Sequence, residues 1–307
     1  MAAGSGQKKG EDTAAEERLT PVMRQYRDLK EKHPDTILFF RIGDFYETFN
    51  DDAVTVAREL EIVLTSRSKG GDNRIPLAGV PYHAAEGYIA KLVGRGFKVA
   101  VCEQVEDPKT AKGIVKRELA RIITPGTVID SSMLPSPQQA FLMAFCPGQK
   151  GQASGVAFLD VSTGEFFTSE IEDDGNPAAL ASEIARYGPA ECLLPASVPD
   201  EILEKITALG VVVTRFRSDA FHPEAATAAL LAHFSLPTLA GFGCNDKPAA
   251  TGAAGAALTY ARETQNSALA HIRALSVRGP GDALVLGTTK GGVLERPGHT
   301  EATVDLM

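Results

Sequence analysis

The stretch TILFFRIGDFYETFNDD, from Thr36 to Asp52, decides how the first part of the chain folds. Residues 36–42 form a continuous apolar run rich in β-formers, short enough to be a buried strand. Gly43-Asp44 turns the chain. Asn50, with Asp51 and Asp52 behind it, reads as the cap of a helix reaching about Leu60, because anionic side chains suit the free N–H groups of a first turn. Between turn and helix stands Phe45, two residues from Glu47. Taken alone, an aromatic after a buried strand belongs to the core, in one cluster with Phe39, Phe40, Tyr46 and Phe49. Alternation offers a second reading. If residues 43–47 stay extended, Phe45 and Glu47 share one face and Tyr46 takes the other, and a carboxylate is rarely buried without a partner. An aromatic beside an acceptor on an exposed rim suits a nucleic-acid base, which one stacks on and the other hydrogen-bonds.

Outward from this stretch, Thr20-Pro21 pairs an N-cap with a proline at the first helical position. Val22, Met23, Tyr26 and Leu29 follow at helical spacing, and His33-Pro34 stops that helix. EIVLT (61–65) reads as a strand, SRSKGGDNR (66–74) as a basic loop, and IPLAGVPYH (75–83), with two prolines, as an extended, irregular path. A helix over 83–95, a strand FKVAVCEQV (97–105), a loop EDPKTAKG (106–113) and a strand KRELARIIT (116–124) complete a mixed sheet of about four strands with helices packed on it.

MLPSPQQ (133–139) is the linker candidate. Beyond it come FLMAF (141–145) and GVAFLDVSTGEFFTSEI (155–171), the latter a hairpin turning at Ser162-Thr163-Gly164. Helix and strand then alternate through ECLLP (191–195), VVVTRF (211–216) and PEAATAALLAHF (223–234), which implies a second α/β domain with partly parallel strands, ending near residue 248. AATGAAGAALTYARETQ (249–265) reads as an Ala-rich helix that opens a third, helical segment.

Composition narrows the chemistry. The net charge of −8 belongs to residues 131–307, since residues 1–130 carry 20 basic and 20 acidic side chains. Within that neutral part, residues 66–121 hold eleven Lys/Arg against six Asp/Glu, including Arg67/Lys69/Arg74 and Lys109/Lys112/Lys116/Arg117/Arg121. These make either a basic surface or an ordinary solvated one. The four cysteines lie far apart with no C-x-x-C pair, so neither a zinc site nor a disulfide framework is signalled and buried free thiols are the better reading. No G-x-x-x-x-G-K-[ST] loop, G-x-S-x-G elbow or H-E-x-x-H helix occurs, so the chain reads as lacking catalytic machinery. Asp160 in VAFLDVS is the kind of residue a nuclease uses to hold Mg²⁺, but it lacks carboxylate partners and reads better as a turn former. Asp107-Pro108-Lys109 is a weak echo of a nuclease motif. With no long apolar run and no leader-like start, the chain is expected to be cytoplasmic.

Several spaced motifs carry a resemblance. DTILFFRIGDFYETFNDDA, then IPLAGVPYHAAEGYIAKLVGRGFKVAVCEQVEDP, KRELARIITPGT, and later LAGFG with ALTYARETQ, closely resemble the N-terminal part of the MutS family of DNA mismatch-recognition proteins, over roughly residues 19–286. The resemblance implies an α/β fold in which a disordered tail (1–18) precedes a mixed-sheet mismatch-binding domain (19–130). An RNase H-like connector domain (134–248) and the start of a helical lever domain (249–307) follow. It implies that Phe45, the aromatic of G-x-F-x-E, wedges into the minor groove of duplex DNA and stacks on the mispaired base, while Glu47 hydrogen-bonds to that base. Arg67, Lys69, Arg74 and Arg121 become candidates for positioning the phosphate backbone.

It also sets expectations for what is missing. Full-length relatives continue through clamp and ATPase domains, use ATP or ADP with Mg²⁺, act as homodimers and engage a MutL-like repair partner. This chain carries no cofactor motif and is expected to be a fragment without ATPase activity. Its last stretch, LGTTKGGVLERPGHTEATVDLM (286–307), keeps only Leu294-Glu295 of the family pattern, with Gly287 where an Asp would stand. The alternative to mismatch recognition is a protein-interaction module whose connector contacts the MutL-like partner while the first domain is inert.

Overall fold

The computed structural model describes residues 20–68, 74–106, 114–129, 140–148, 151–172 and 178–279. The tail (1–18), Lys69, Asp107-Pro108-Lys109, the linker (133–139) and residues 280–307 lie outside them.

The first domain is a six-stranded mixed sheet rather than a four-stranded one. Its elements run α1 (Pro21–Lys32), β1 (Ile37–Ile42), β2 (Phe45–Phe49), α2 (Asn50–Leu60), β3 (Thr65–Ser68), β4 (Arg74–Pro81), α3 (Ala85–Gly94), β5 (Val99–Gln104) and β6 (Arg117–Ile123). The strand order is β3-β4-β2-β1-β5-β6, with β1 and β5 parallel and the other neighbours antiparallel. Both faces are apolar and both are covered. On one, Met23 and Tyr26 of α1 pack over Leu38, Phe40, Phe49 and Cys102; on the other, α2 and α3 cover Phe39, Tyr46 and Val99.

Three local expectations change. Asn50 opens α2 in a left-handed conformation (φ 53°), Phe49 is the residue before the helix, and no side chain caps it. Asp52 is buried and accepts from the Tyr26 hydroxyl (2.9 Å), the Leu38 amide (3.0 Å) and Lys30 Nζ (2.9 Å), tying α1, α2 and β1 together. EIVLT is not a strand up to Thr65: Glu61 ends α2 in a left-handed conformation and Val63 stands 77% exposed before β3 begins. IPLAGVP is a regular strand despite its prolines. Pro76 pairs only with β3 and Pro81 only with β2, so each sits where β4 has a single neighbour and a missing N–H breaks no ladder.

The second domain contains β7 (Phe141–Cys146), β8 (Ser154–Asp160), β9 (Phe166–Ile171), α4 (Ala178–Tyr187), β10 (Glu191–Pro195), α5 (Asp200–Thr207), β11 (Val212–Phe216), α6 (Pro223–Phe234), α7 (Pro248–Gln265) and β12 (Ser276–Val277). The order β11-β10-β7-β8-β9-β12 puts an antiparallel meander beside two parallel strands, the RNase H-like arrangement, with the short β12 added at the β9 edge.

The Ala-rich helix α7 does not open a separate segment. It lies on this sheet with Ala253, Ala254, Ala257 and Leu258 in the same core as Leu142, Ala157 and Leu159. Small residues let it approach closely. A Cβ on Gly155 of β8 would stand 1.9 Å from Ala249 O, and one on Gly255 2.3 Å from Ala226 Cβ of α6. Asp160 forms the expected turn: Oδ1 accepts from the Ser162 amide (2.8 Å), the Ser162 hydroxyl (2.7 Å) and the Thr163 amide (3.2 Å). No group of three or more His, Cys, Asp or Glu is placed to hold a metal ion among the described residues, and no helix there is long and apolar enough to cross a membrane.

Candidate nucleic-acid interface

The hairpin β1–β2 builds the site. Gly43 turns with φ 58°, which a Cβ would resist, and the register then pairs Ile42 with Phe45, Arg41 with Tyr46 and Phe40 with Glu47. Alternation does the rest. Tyr46 is buried, donates its hydroxyl to Glu103 and packs on Phe39 with ring centroids 6.1 Å apart. Phe45, on the opposite face, is 47% exposed. On β4, Pro81 stands opposite Phe45 and Gly79 opposite Glu47, so no side chain rises from Gly79 between them.

Glu47 is in an unusual state for a carboxylate. Its side chain is only 20% exposed, and among the described residues the nearest cation, Arg67 Nη1, stands 3.7 Å from Oε2, beyond hydrogen-bond reach. Oε2 is buried and has no hydrogen-bond partner among the described residues. Burial pushes the carboxyl above its ordinary range, and the guanidinium groups of Arg67 and Arg117 only partly offset this. The result is an acceptor in want of a donor.

Arg117, grouped with the basic residues of the sequence but not assigned to the site, is the missed neighbour. It is buried on β6 with its guanidinium 5.4 Å from the Phe40 ring centroid, and it donates through Nε to Arg41 O (2.6 Å) and through Nη1 to Val115 O (2.7 Å). A signal for this exists in the sequence: Arg117 lies two residues from Leu119, so both face the core side of their strand. At the tip of the hairpin, on the Tyr46 side, Arg41 stacks 3.9 Å from the centroid of the half-exposed Tyr82.

The other basic candidates divide. Arg67 on β3 reaches Glu47, and Arg74, paired with Ser68, is exposed at the start of β4 in the same hairpin. Arg121, on β6, pairs with Val101 of β5 and lies three strands away from β2 at the other edge of the sheet. Lys69 falls outside the described residues.

Comparison with known proteins adds the relationship. Residues 20–132 match the family model described as MutS domain I, and residues 140–273 that described as MutS domain II. A third model, described as 3,4-dihydroxy-2-butanone 4-phosphate synthase, matches residues 252–307 and overlaps the second over α7. The chain is 45% identical over 272 residues to the DNA mismatch repair protein MutS of Methanococcoides burtonii, covering 88% of this chain and 30% of the relative. It is 46% identical to that of Symbiobacterium thermophilum, covering 88% and 31%, and 46% identical to that of Solibacter usitatus, covering 87% and 30%. The chain thus spans about three tenths of the length of these relatives.

Proposed function

Because the chain belongs to the MutS family and carries its domains I and II, we propose that it recognises mismatched or unpaired bases in duplex DNA, with Phe45 as a minor-groove wedge and Glu47 as the group that reads the displaced base. The observation that carries this reading is the pairing on one strand face of a half-exposed Phe45 with a Glu47 oxygen that lacks a donor among the described residues.

The energetics favour a defective duplex. Inserting a side chain between base pairs unstacks a step and costs about a few kcal/mol. Stacking on the aromatic returns roughly 1–3 kcal/mol per base. A mismatch lowers the first term, because its bases are already poorly paired and the step deforms easily, and leaves the second unchanged. Discrimination is therefore a difference in deformation cost.

Glu47 adds a penalty on correct DNA. An ionised carboxylate brought near phosphates is repelled unless a base edge offers an N–H or the carboxyl takes up a proton, and the burial that raises its proton affinity favours that second outcome. Arg67 and Arg74, with Lys69 and Arg121 as further candidates, supply salt-sensitive contacts to the backbone.

The connector and the residues after it serve, in this reading, to present the first domain. Homodimerisation and docking of a MutL-like protein are proposed for the assembled protein in the cytoplasm. ATP, ADP and Mg²⁺ are proposed only for the assembled, longer protein, since no phosphate-cradling loop occurs in these residues. Titrating mismatched and fully paired duplexes with the wild type and Phe45→Ala tests the proposal. The wild type should prefer the mismatch and the mutant should not. Equal discrimination by both would remove Phe45 from recognition, and none by the wild type would leave only the interaction-module reading.

A further inference from the structure

Glu191 opens β10 in the second domain and is completely buried. Its donors come from both domains. Oε2 accepts from the Thr124 hydroxyl (2.5 Å) and the Gly126 amide (3.1 Å) of the turn that follows β6. Oε1 accepts from the Thr214 hydroxyl of β11 (2.5 Å) and the Tyr260 hydroxyl of α7 (2.9 Å), with Lys98 Nζ of the first domain 3.9 Å away.

The turn is shaped for this seat. The Thr124 and Thr127 hydroxyls lie 2.8 Å apart, the Thr127 amide donates to Thr124 O (3.1 Å), and neither residue is exposed. A Cβ on Gly126 would stand 2.9 Å from Glu191 Cβ and 2.8 Å from Leu142 Cδ1, so the turn's backbone presses directly on the second domain. From α7, Gln265 Nε2 donates to Thr127 O (2.6 Å) and Ile122 O (3.3 Å), closing the other side. A backbone turn of one domain is held by a carboxylate and an amide of the other, with every one of these polar groups answered.

We infer that Glu191 and Gln265 form a socket for the Thr124–Thr127 turn, so that the connector binds the first domain as a partner, whether or not the chain between them is intact. Chain connectivity then serves to keep the two at high local concentration, and the geometry between them is set by the socket. Arrays of donors that converge on one buried acceptor are directional. They fix an angle as well as a contact.

A site-specific protease sequence inserted after Ser136 of the full chain tests this without any DNA, so its outcome is independent of the mismatch reading. After complete cleavage at micromolar concentration, the two pieces should leave a sizing column together, at the position of the uncut 32.5 kDa chain. The same cleavage in Glu191→Ala should give two separate peaks. Gly126→Ala provides a second arm that leaves the carboxylate in place. Its added methyl meets the second domain and no core of its own, so separation should occur with the far-ultraviolet circular dichroism of the uncut protein unchanged. Separation of the cut wild type, or co-elution of both cut variants, overturns the inference.

Discussion

Glu47 and Glu191 are two carboxylates on strands, both withdrawn from water, and they are satisfied in opposite ways. Glu191 has four hydrogen-bond donors drawn from both domains, whereas one oxygen of Glu47 has none among the described residues. Burying an acceptor without a partner costs about 1–3 kcal/mol, so a fold keeps such a group only where something outside the chain completes it or the cost is accepted. The completed carboxylate reports on architecture. The incomplete one marks where a ligand is expected.

Substitutions should separate the two in size and in sign. Glu191→Ala leaves several buried donors and Lys98 without their acceptor, and urea denaturation should show a loss of about 3–5 kcal/mol, as for other broken buried charge contacts. Asp160→Ala removes an acceptor of three local donors and should cost less, roughly 1–3 kcal/mol, with no change in any Mg²⁺ response because the residue builds a turn. Glu47→Gln should act in the other direction and raise stability at neutral pH by less than about 1 kcal/mol.

The pH dependence of that gain follows from the sign of the shift. The folded state binds the Glu47 proton more tightly than the unfolded chain, so the ionised group destabilises the fold at neutral pH. This cost is relieved as pH falls through the raised value and is gone below the ordinary value of 4.5. Urea midpoints of wild type and Glu47→Gln should therefore differ at pH 7 and converge in acid; a gap that widens in acid would show that Glu47 is satisfied after all. Phe45→Ala should change stability least, within about 0.5 kcal/mol as for other exposed sites, while removing the mismatch preference proposed above. A large stability loss would return Phe45 to the core.

Much of the fold and of the candidate site is legible in the sequence. TILFFRI and GDFYE have apolar content and a turn that local chemistry decides, so the β1–β2 hairpin and the opposite facing of Tyr46 and Phe45 follow from period-two alternation alone. The second domain is legible for the same reason, since its strands are largely continuous apolar runs and α5, α6 and α7 begin at an aspartate or a proline. The features that local reading misses depend on contacts between residues far apart along the chain. The prolines of β4 look disruptive because nothing local says which neighbour a strand will lack. The Ala-rich α7 looks like an independent helix because its burial depends on glycines in β8 and in the helix itself. Arg117 stands in a basic cluster, and although its spacing from Leu119 marks the core side of the strand, its partners there, Arg41 O and the Phe40 ring, lie far away along the chain.

The close approach of α7 to β8, to Phe221 and to α6 has a genetic consequence. Every single-base change in the first two positions of a glycine codon that does not stop translation installs a larger side chain. At Gly155, Gly252 and Gly255 the added atom would overlap Ala249, Phe221 or Ala226 at 2.4 Å or less. The helix of plainest composition is thus hemmed in where chance mutation has little room, and a survey of random missense variants should find those three positions nearly empty.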